Sequence, residues 1–370
     1  MQRIEPTAKS LDSGAAPPLS SARDSSRRRG SAATAMTLED FPRVRLGHWP
    51  TPLEPMKGLA RRLGAQRLYI KRDDCTGLAT GGSKTRKLEF LVGEAVREGA
   101  DTLLTCGAVQ SNHVRQTAAA AAFAGLHCEA ILEERVKDAP QQYRESGNVF
   151  LDRLFGIELH RVPGGTAMDA ALESLALKVR ERGGKPYVIP GGGSNALGSL
   201  GYVDCVLELQ RQCEAMGLRK PHLVHATGSA GTQAGLLAGI HALGLDWPVT
   251  GIGVRALRDA QETRVHELAS RVLDLLGIER PLPRAQVVAD DRFIGAGYGV
   301  PTDAMVEAVQ MLARTEGILM DPVYTGKGLA GLIARVRAGS FEPDEDIIFV
   351  HTGGSAGLFG YQWAFTQTAA

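Results

Sequence analysis

The sequence predicts an open α/β fold built on parallel sheets, and three observations carry that prediction. Short apolar runs alternate with helical spacings along most of the chain, one βαβα unit after another. Glycine-rich turns follow several of those runs. The 44 glycines, about 12% of 370 residues where roughly 7% is typical, cluster there without a period of three. The predicted helices are rich in Ala and Gly, and the chain holds only 3 Trp, 7 Tyr and 10 Phe, which suits close helix-on-sheet packing.

Ordered sequence is expected from about Phe41. Residues 51–64 read as an extended lead-in and a short helix, with Pro52 and Pro55 near its start. RLYIKRDD (67–74) reads as a strand with a polar end. Lys84 to Arg97 has helical spacing, with Leu88, Leu91, Val92 and Ala95 on one face. Strand and helix then alternate: 101–107 and 114–126, 128–133 and 147–156, 157–163 and 167–182, 186–190 and a helix near 200–215. HLVHATGSAGTQAGLLAGIHALG (222–244) gives a strand, a Gly/Ser/Thr loop and a helix. A strand at 248–256, a helix near 261–276, two helices within 295–339 and a strand over 346–354 complete the pattern.

Composition excludes several classes. With 42 Lys+Arg against 41 Asp+Glu, the net charge of +1 gives no bulk attraction to nucleic acid or membrane. No apolar run reaches the roughly 20 residues of a membrane span. Cys75, Cys106, Cys128, Cys205 and Cys213 are odd in number and widely spaced, so they form neither a disulfide framework nor a zinc ribbon. Residues 1–37 are expected to be a disordered tail or a mis-assigned start, with Met36 as a candidate true start. An organelle transit peptide is the minority reading, and no apolar segment of a secretory signal follows Arg27-Arg28-Arg29. A cytoplasmic protein is expected.

Four segments carry chemistry. In ATGSAGTQAG (226–235), small side chains at Thr227, Gly228, Ser229, Ala230, Gly231 and Thr232 expose backbone N–H groups at a helix start, which suits a phosphate. The segment matches neither the P-loop pattern nor the strict dinucleotide fingerprint, and an ordinary glycine turn is the alternative. Lys84, after two glycines and a serine, sits at a loop-to-helix junction where a sheltered amine acts as nucleophile or base. Lys87 follows one turn later and can lower the pKa of Lys84 or meet a phosphate; a solvated basic first turn is the alternative. Ser111, Asn112 and His113 follow a strand end, the usual position for ligand contacts in open α/β sheets, with His113 either a base or a satisfied core histidine. Tyr298, Tyr324 and Thr352 lie in Gly/Pro-interrupted loops or at a strand end, where tyrosines stack on a ring or move a proton, or simply anchor the loop. A phosphate site, a reactive lysine and a site assembled from several strand ends together suit pyridoxal phosphate.

The ordered motifs IKRDDCTGLATGGSKTRKLEF, GAVQSNHVRQTAAAAA, IPGGGSNALGSLGY, ATGSAGTQAG, GAGYGVP, EGILMDPVYTGK and HTGGSAGLFGY resemble the fold type II pyridoxal-phosphate enzymes. The likeness runs from about Phe41 to Tyr361. It points to the branch of D-cysteine desulfhydrase, L-cysteate sulfo-lyase and 1-aminocyclopropane-1-carboxylate deaminase, nearest the sulfo-lyase. The resemblance implies a tryptophan synthase beta-like fold of two open parallel-sheet domains. A smaller domain (88–200) would be inserted in a larger cofactor domain (38–87 and 201–370), and homodimers are usual. It implies that Lys84 carries the cofactor and that Lys87 and residues 227–232 hold its phosphate. Asn112 would bond the ring oxygen, Tyr324 stack on the ring and Thr352 meet the ring nitrogen. Ser111, Asn112, His113 and Tyr298 would face the substrate, with Lys84, Ser111, Tyr298 or Tyr324 moving protons.

The deaminase has a glutamate where this chain has Thr325, which lowers the ring-opening reading. The expected reaction is α,β-elimination from a small sulfur-containing amino acid, L-cysteate first and D-cysteine as the alternative. Arg255, after the strand in GIGVRA, is the expected partner of a sulfonate, or else a surface residue. A nucleotide-binding regulator is the alternative from a different class.

Overall fold

The computed structural model describes residues 37–65 and 67–366; the Arg/Ser-rich stretch and Met36 lie outside the described residues. The chain runs β1 (Leu53–Pro55), α1 (Lys57–Leu63), β2 (Leu68–Arg72), α2 (Lys84–Arg97), β3 (Thr102–Ala108), α3 (Asn112–Ala124), β4 (His127–Glu134), α4 (Gln141–Glu145), α5 (Asn148–Leu154), β5 (Glu158–Pro163) and α6 (Met168–Glu181). It continues through β6 (Pro186–Val188), α7 (Ala196–Met216), β7 (Pro221–Thr227), α8 (Gly231–Ala242), β8 (Val249–Gly253), α9 (Arg258–Leu275), β9 (Val288–Asp290), α10 (Asp303–Glu316), α11 (Thr325–Arg337), β10 (Asp346–His351) and α12 (Trp363–Thr366).

The strands form two sheets, one ordered β1-β2-β10-β7-β8-β9 and the other β5-β4-β3-β6. All described pairs are parallel except β1 with β2. β1 is a three-residue strand ending in Pro55 and lies at the edge of its sheet, where proline is tolerated. β9 is a second addition to the expected order, a short edge strand beside β8. Helices α3 and α7 start earlier than their apolar spacing suggests, because caps set their starts. The Ser111 hydroxyl accepts from the Val114 N–H at 3.2 Å, and the Asn195 side chain accepts from the Gly198 N–H at 2.8 Å.

β7 and β10 are buried along their whole lengths, as central parallel strands must be. Helix α8 is buried nearly all round, and small residues let it approach α7 closely. A Cβ on Gly235 would fall 2.2 Å from the Ser199 carbonyl oxygen. Beneath α2, Arg86 is 1% exposed and holds Asp73 with two parallel hydrogen bonds of 2.9 and 2.8 Å. The Tyr202 hydroxyl donates to the same carboxylate at 2.8 Å, and Glu208 accepts from the Arg86 fork at 3.1 and 3.2 Å. This network fastens α2 to β2 and α7. Among the described residues no helix is long and apolar enough to cross a membrane.

Candidate active site

Helix α2 begins at Lys84, and its first turn is drawn onto the end of β10. The Ser83 N–H donates to the Thr352 carbonyl at 3.0 Å. Gly82 and Gly353 meet backbone to backbone: a Cβ on Gly353, whose φ is +83°, would lie 2.6 Å from the Gly82 Cα. The first turn is not solvated. Arg86 and Lys87 are buried, and Lys84 is half-buried with its Nζ donating to Ser83 Oγ at 3.1 Å. Burial pulls the Lys84 amine down to about 8, with the charge of Asp321 opposing and that of Arg115 assisting.

Lys87 is 0% exposed, and its Nζ donates to the Gly192 carbonyl and Ser194 Oγ, both at 3.2 Å. Among the described residues it has no ion-pair partner, and burial with the neighbouring Lys84 charge holds its pKa well below 10.5. A Cβ on Gly231 would lie 2.7 Å from that Nζ, so the amine faces the first turn of α8. Ala230, the residue before α8, takes the left-handed φ of +70°, rare for a residue with a side chain. The Ser194 hydroxyl donates to Ser229 Oγ at 2.9 Å and accepts from the Gly231 N–H at 3.3 Å. A helix N-terminus and a buried amine without an acid among the described residues face one point, and an anion there pairs with both. The cradle over Thr227–Thr232 thus fits a phosphate on its own geometry.

One pocket is lined by Lys84, Ser111, Asn112, His113, Thr227, Gly228, Ser229, Thr232, Arg255, Tyr298, Tyr324 and Thr352, together with Arg135. Lys87, Ala230 and Gly231 are not part of this lining. Asn112 Oδ1 accepts from Asn148 Nδ2 at 2.9 Å, and the Asn112 amide nitrogen has no acceptor among the described residues. The Thr105 hydroxyl donates to the Ile189 carbonyl at 2.9 Å, so it accepts the 2.8 Å bond from His113 Nε2–H. Burial, with the Lys84 and Lys87 charges, holds His113 neutral, well below 6.5. His113 is therefore a fixed neutral ring rather than a free base.

The Tyr298 and Tyr324 hydroxyls lie 2.5 Å apart, with their rings edge to face at 5.8 Å. Burial raises both pKa values, so both are protonated at neutral pH. Tyr324 precedes α11, where the Asp321 carboxylate accepts from the Val323, Tyr324 and Thr325 N–H groups at 3.1, 3.0 and 2.8 Å. The Thr325 hydroxyl donates to Asp321 at 2.8 Å and is fully buried, turned into this cap rather than toward the pocket. Tyr298 rides on a loop clamped by Lys327, whose Nζ donates to the Ile294 and Gly297 carbonyls at 2.6 and 3.0 Å.

Sequence reasoning missed Asp321, Lys327 and Arg135. The first two lie in the DPVYTGK motif, where the aspartate cap and the lysine clamp depend on backbone contacts that residue spacing does not show. Arg135 sits in a charge-rich stretch that reads as surface.

A family model described as "Pyridoxal-phosphate dependent enzyme" matches residues 44–353. D-cysteine desulfhydrases of Salmonella choleraesuis (strain SC-B67) and Salmonella schwarzengrund (strain CVM19633) are each 47% identical over 88% of this chain and 97% of their own. A solved structure titled as an ACC deaminase homologue superimposes with a TM-score of 0.79 at 37% identity, over 89% of this chain and 96% of that one. O-ureido-L-serine synthase, at a TM-score of 0.61 and 17% identity over 88% and 95%, shares the fold. The two-sheet architecture is that of fold type II, the cofactor is pyridoxal phosphate, and the chain belongs to the pyridoxal-phosphate-dependent enzyme family.

Proposed function

We propose that the protein is a carbon–sulfur lyase that eliminates a sulfur group from Cβ of a small amino acid. D-cysteine, giving pyruvate, ammonium and sulfide with one water consumed, is the better supported substrate, because the relatives at 47% identity carry that activity in their names. This reverses the order expected from sequence, which put L-cysteate first.

The observation that carries the elimination is the set of proton-handling groups on the pocket: one amine with a pKa of about 8 and two protonated tyrosines, with no carboxylate among the described lining residues. Bound pyridoxal phosphate supplies the electron sink that makes a Cα–H bond acidic. Lys84, neutral in a large fraction near pH 8, accepts the Cα proton. The Tyr298 hydroxyl, bonded to Tyr324, donates toward the departing sulfur. Ser111 and the first amides of α3 hold the α-carboxylate, Asn112 offers its free amide to the ring oxygen, and Lys87 with residues 227–232 takes the phosphate. Thr352 offers a neutral hydroxyl to the ring nitrogen. Ring opening of a cyclopropane is disfavoured, because Thr325 is committed to the Asp321 cap.

A second reading, L-cysteate with sulfite as leaving group, is favoured by Arg255, which lines the pocket and has no side-chain partner among the described residues. A side-by-side assay decides between them: sulfide from D-cysteine with no sulfite from L-cysteate supports the first, and the reverse supports the second. Pyruvate from neither substrate contradicts the lyase reading. The proposal includes a cytoplasmic homodimer divided at residues 38–87 with 201–370 and 88–200. Sedimentation and limited proteolysis test those parts.

A further inference from the structure

The turn before Lys84 runs through four consecutive left-handed residues. Ala79, Thr80, Gly81 and Gly82 have φ of +46°, +69°, +73° and +131°. Two of them carry side chains, for which that region is unfavourable, so the turn persists only where its surroundings hold it. The Thr76 hydroxyl accepts from the Gly82 N–H at 2.8 Å and donates to the Gly82 carbonyl at 3.1 Å. Arg115 of α3 holds the other half. Its guanidinium donates to the Gly81 carbonyl at 2.8 Å and to Thr80 Oγ1 at 3.1 Å. Gln116, the next residue on α3, holds the far side of Lys84, where its Oε1 accepts from the Thr85 N–H at 3.0 Å. Two adjacent side chains of α3 thus grip the chain on both sides of the amine, one helical turn beyond Ser111 and Asn112.

An arginine is a costly choice for that grip. Arg115 is 0% exposed, forms no ion pair among the described residues, and its Nε has no hydrogen-bond partner there. The acids whose charges reach it are Asp152 and Asp321. Asp321 is committed to the cap of α11. Both Asp152 oxygens lack a hydrogen-bond partner among the described residues, and burial pushes that carboxyl up to about 8. Contacts to one carbonyl and one hydroxyl need no charge. We propose that Arg115 is a positioning residue for Lys84, whose guanidinium locks the left-handed turn that aims the amine into the pocket. The unpaired charge has a use there as well: behind the larger effect of burial, and against Asp321, it favours the neutral amine. The other groups at this end are Lys87, of like sign, and the neutral His113. The proposal rests on the reading of Lys84 as the cofactor's amine and adds what aims it.

The test follows attachment of pyridoxal phosphate to the cofactor-free full chain, by absorbance, as a function of pH. In Arg115→Gln the plateau rate falls about tenfold, the order expected for misplacing a reacting group, and the midpoint rises above 8. Arg115→Lys keeps the charge and loses the fork, so its plateau falls while its midpoint stays near 8. Ala79→Gly, added to either variant, relieves the turn and returns part of the plateau rate without moving the midpoint. A wild-type plateau in both arginine variants overturns the proposal. So does a slower plateau that Ala79→Gly leaves unchanged while the midpoint of Arg115→Gln stays at the wild-type value, the mark of a merely structural arginine. If melting curves show that Arg115→Gln does not fold, Arg115→Lys with and without Ala79→Gly decides alone. Attachment that persists in Lys84→Ala overturns instead the assignment of Lys84 on which the proposal rests.

Discussion

Arg86 and Lys87 are neighbours in the first turn of α2, both buried, and they sit in opposite electrostatic surroundings. Arg86 is held by Asp73 and Glu208, with Tyr202 bonded to the same acid. Among the described residues Lys87 has only a carbonyl and a hydroxyl, and the helix N-terminus it faces adds positive potential. A buried charge is tolerated when it is paired and hydrogen-bonded. The first region is therefore complete as folded, whereas the second leaves its amine without a charged partner among the described residues. Two consecutive residues of one helical turn thus differ, one a paired structural cation and the other a buried amine turned to the start of α8. Local sequence does not distinguish them, because the partners of Arg86 lie 13 and 122 residues away.

The sharpest break in the comparison is Arg86→Met. It strands the Asp73 carboxylate, and a loss of roughly 3–5 kcal/mol of stability is expected by chemical denaturation. Adding Asp73→Asn should return part of that loss. Lys87→Met reverses the pattern. Stability without cofactor stays within about 1 kcal/mol of wild type, because the amine it removes is not held as a paired charge. Affinity for pyridoxal phosphate, followed by fluorescence titration, should fall about 100-fold, the order expected for losing a charge-assisted contact. Inorganic phosphate should raise the melting temperature of cofactor-free wild type and leave that of Lys87→Met unmoved.

Lys327 lies between these extremes, a buried amine bonded among the described residues to two carbonyls and no acid, with burial lowering its pKa to about 8. Lys327→Met frees the loop that carries Tyr298. A kcat loss of roughly tenfold, with a smaller change in cofactor affinity, is expected from misplacing one proton donor.

The smallest effect is one of pH. The neutral amine is the reactive form, and Lys84 titrates near 8 rather than 10.5, so the rate of cofactor attachment should rise through about pH 8 and level off above it. A rise that continues toward pH 10 contradicts the sheltered amine.

The sequence was most legible where chemistry is local. The start of α2 at Lys84, the cradle between β7 and α8, and the strand ends bearing Asn112 and Thr352 could be read from glycines, hydroxyls and apolar runs. Burial and pairing were not legible, since they are settled by residues distant in the chain. The alternative of a solvated basic first turn survived sequence reading and fails only once β2 and α7 are seen closing over Arg86. Arg135 was hidden for the same reason: it reads as a surface charge until Tyr298, 163 positions later, is packed beneath it.

The central claim is that the first turn of α2 presents Lys84 to the cofactor's aldehyde while Lys87 serves its phosphate. Borohydride reduction of the holoenzyme, digestion and fragment mass analysis test it directly. The account predicts the reduced pyridoxyl group on Lys84, with Lys87 unmodified in the same peptide and no label in Lys84→Ala. Label on Lys87 or Lys327, or label that persists in Lys84→Ala, contradicts it.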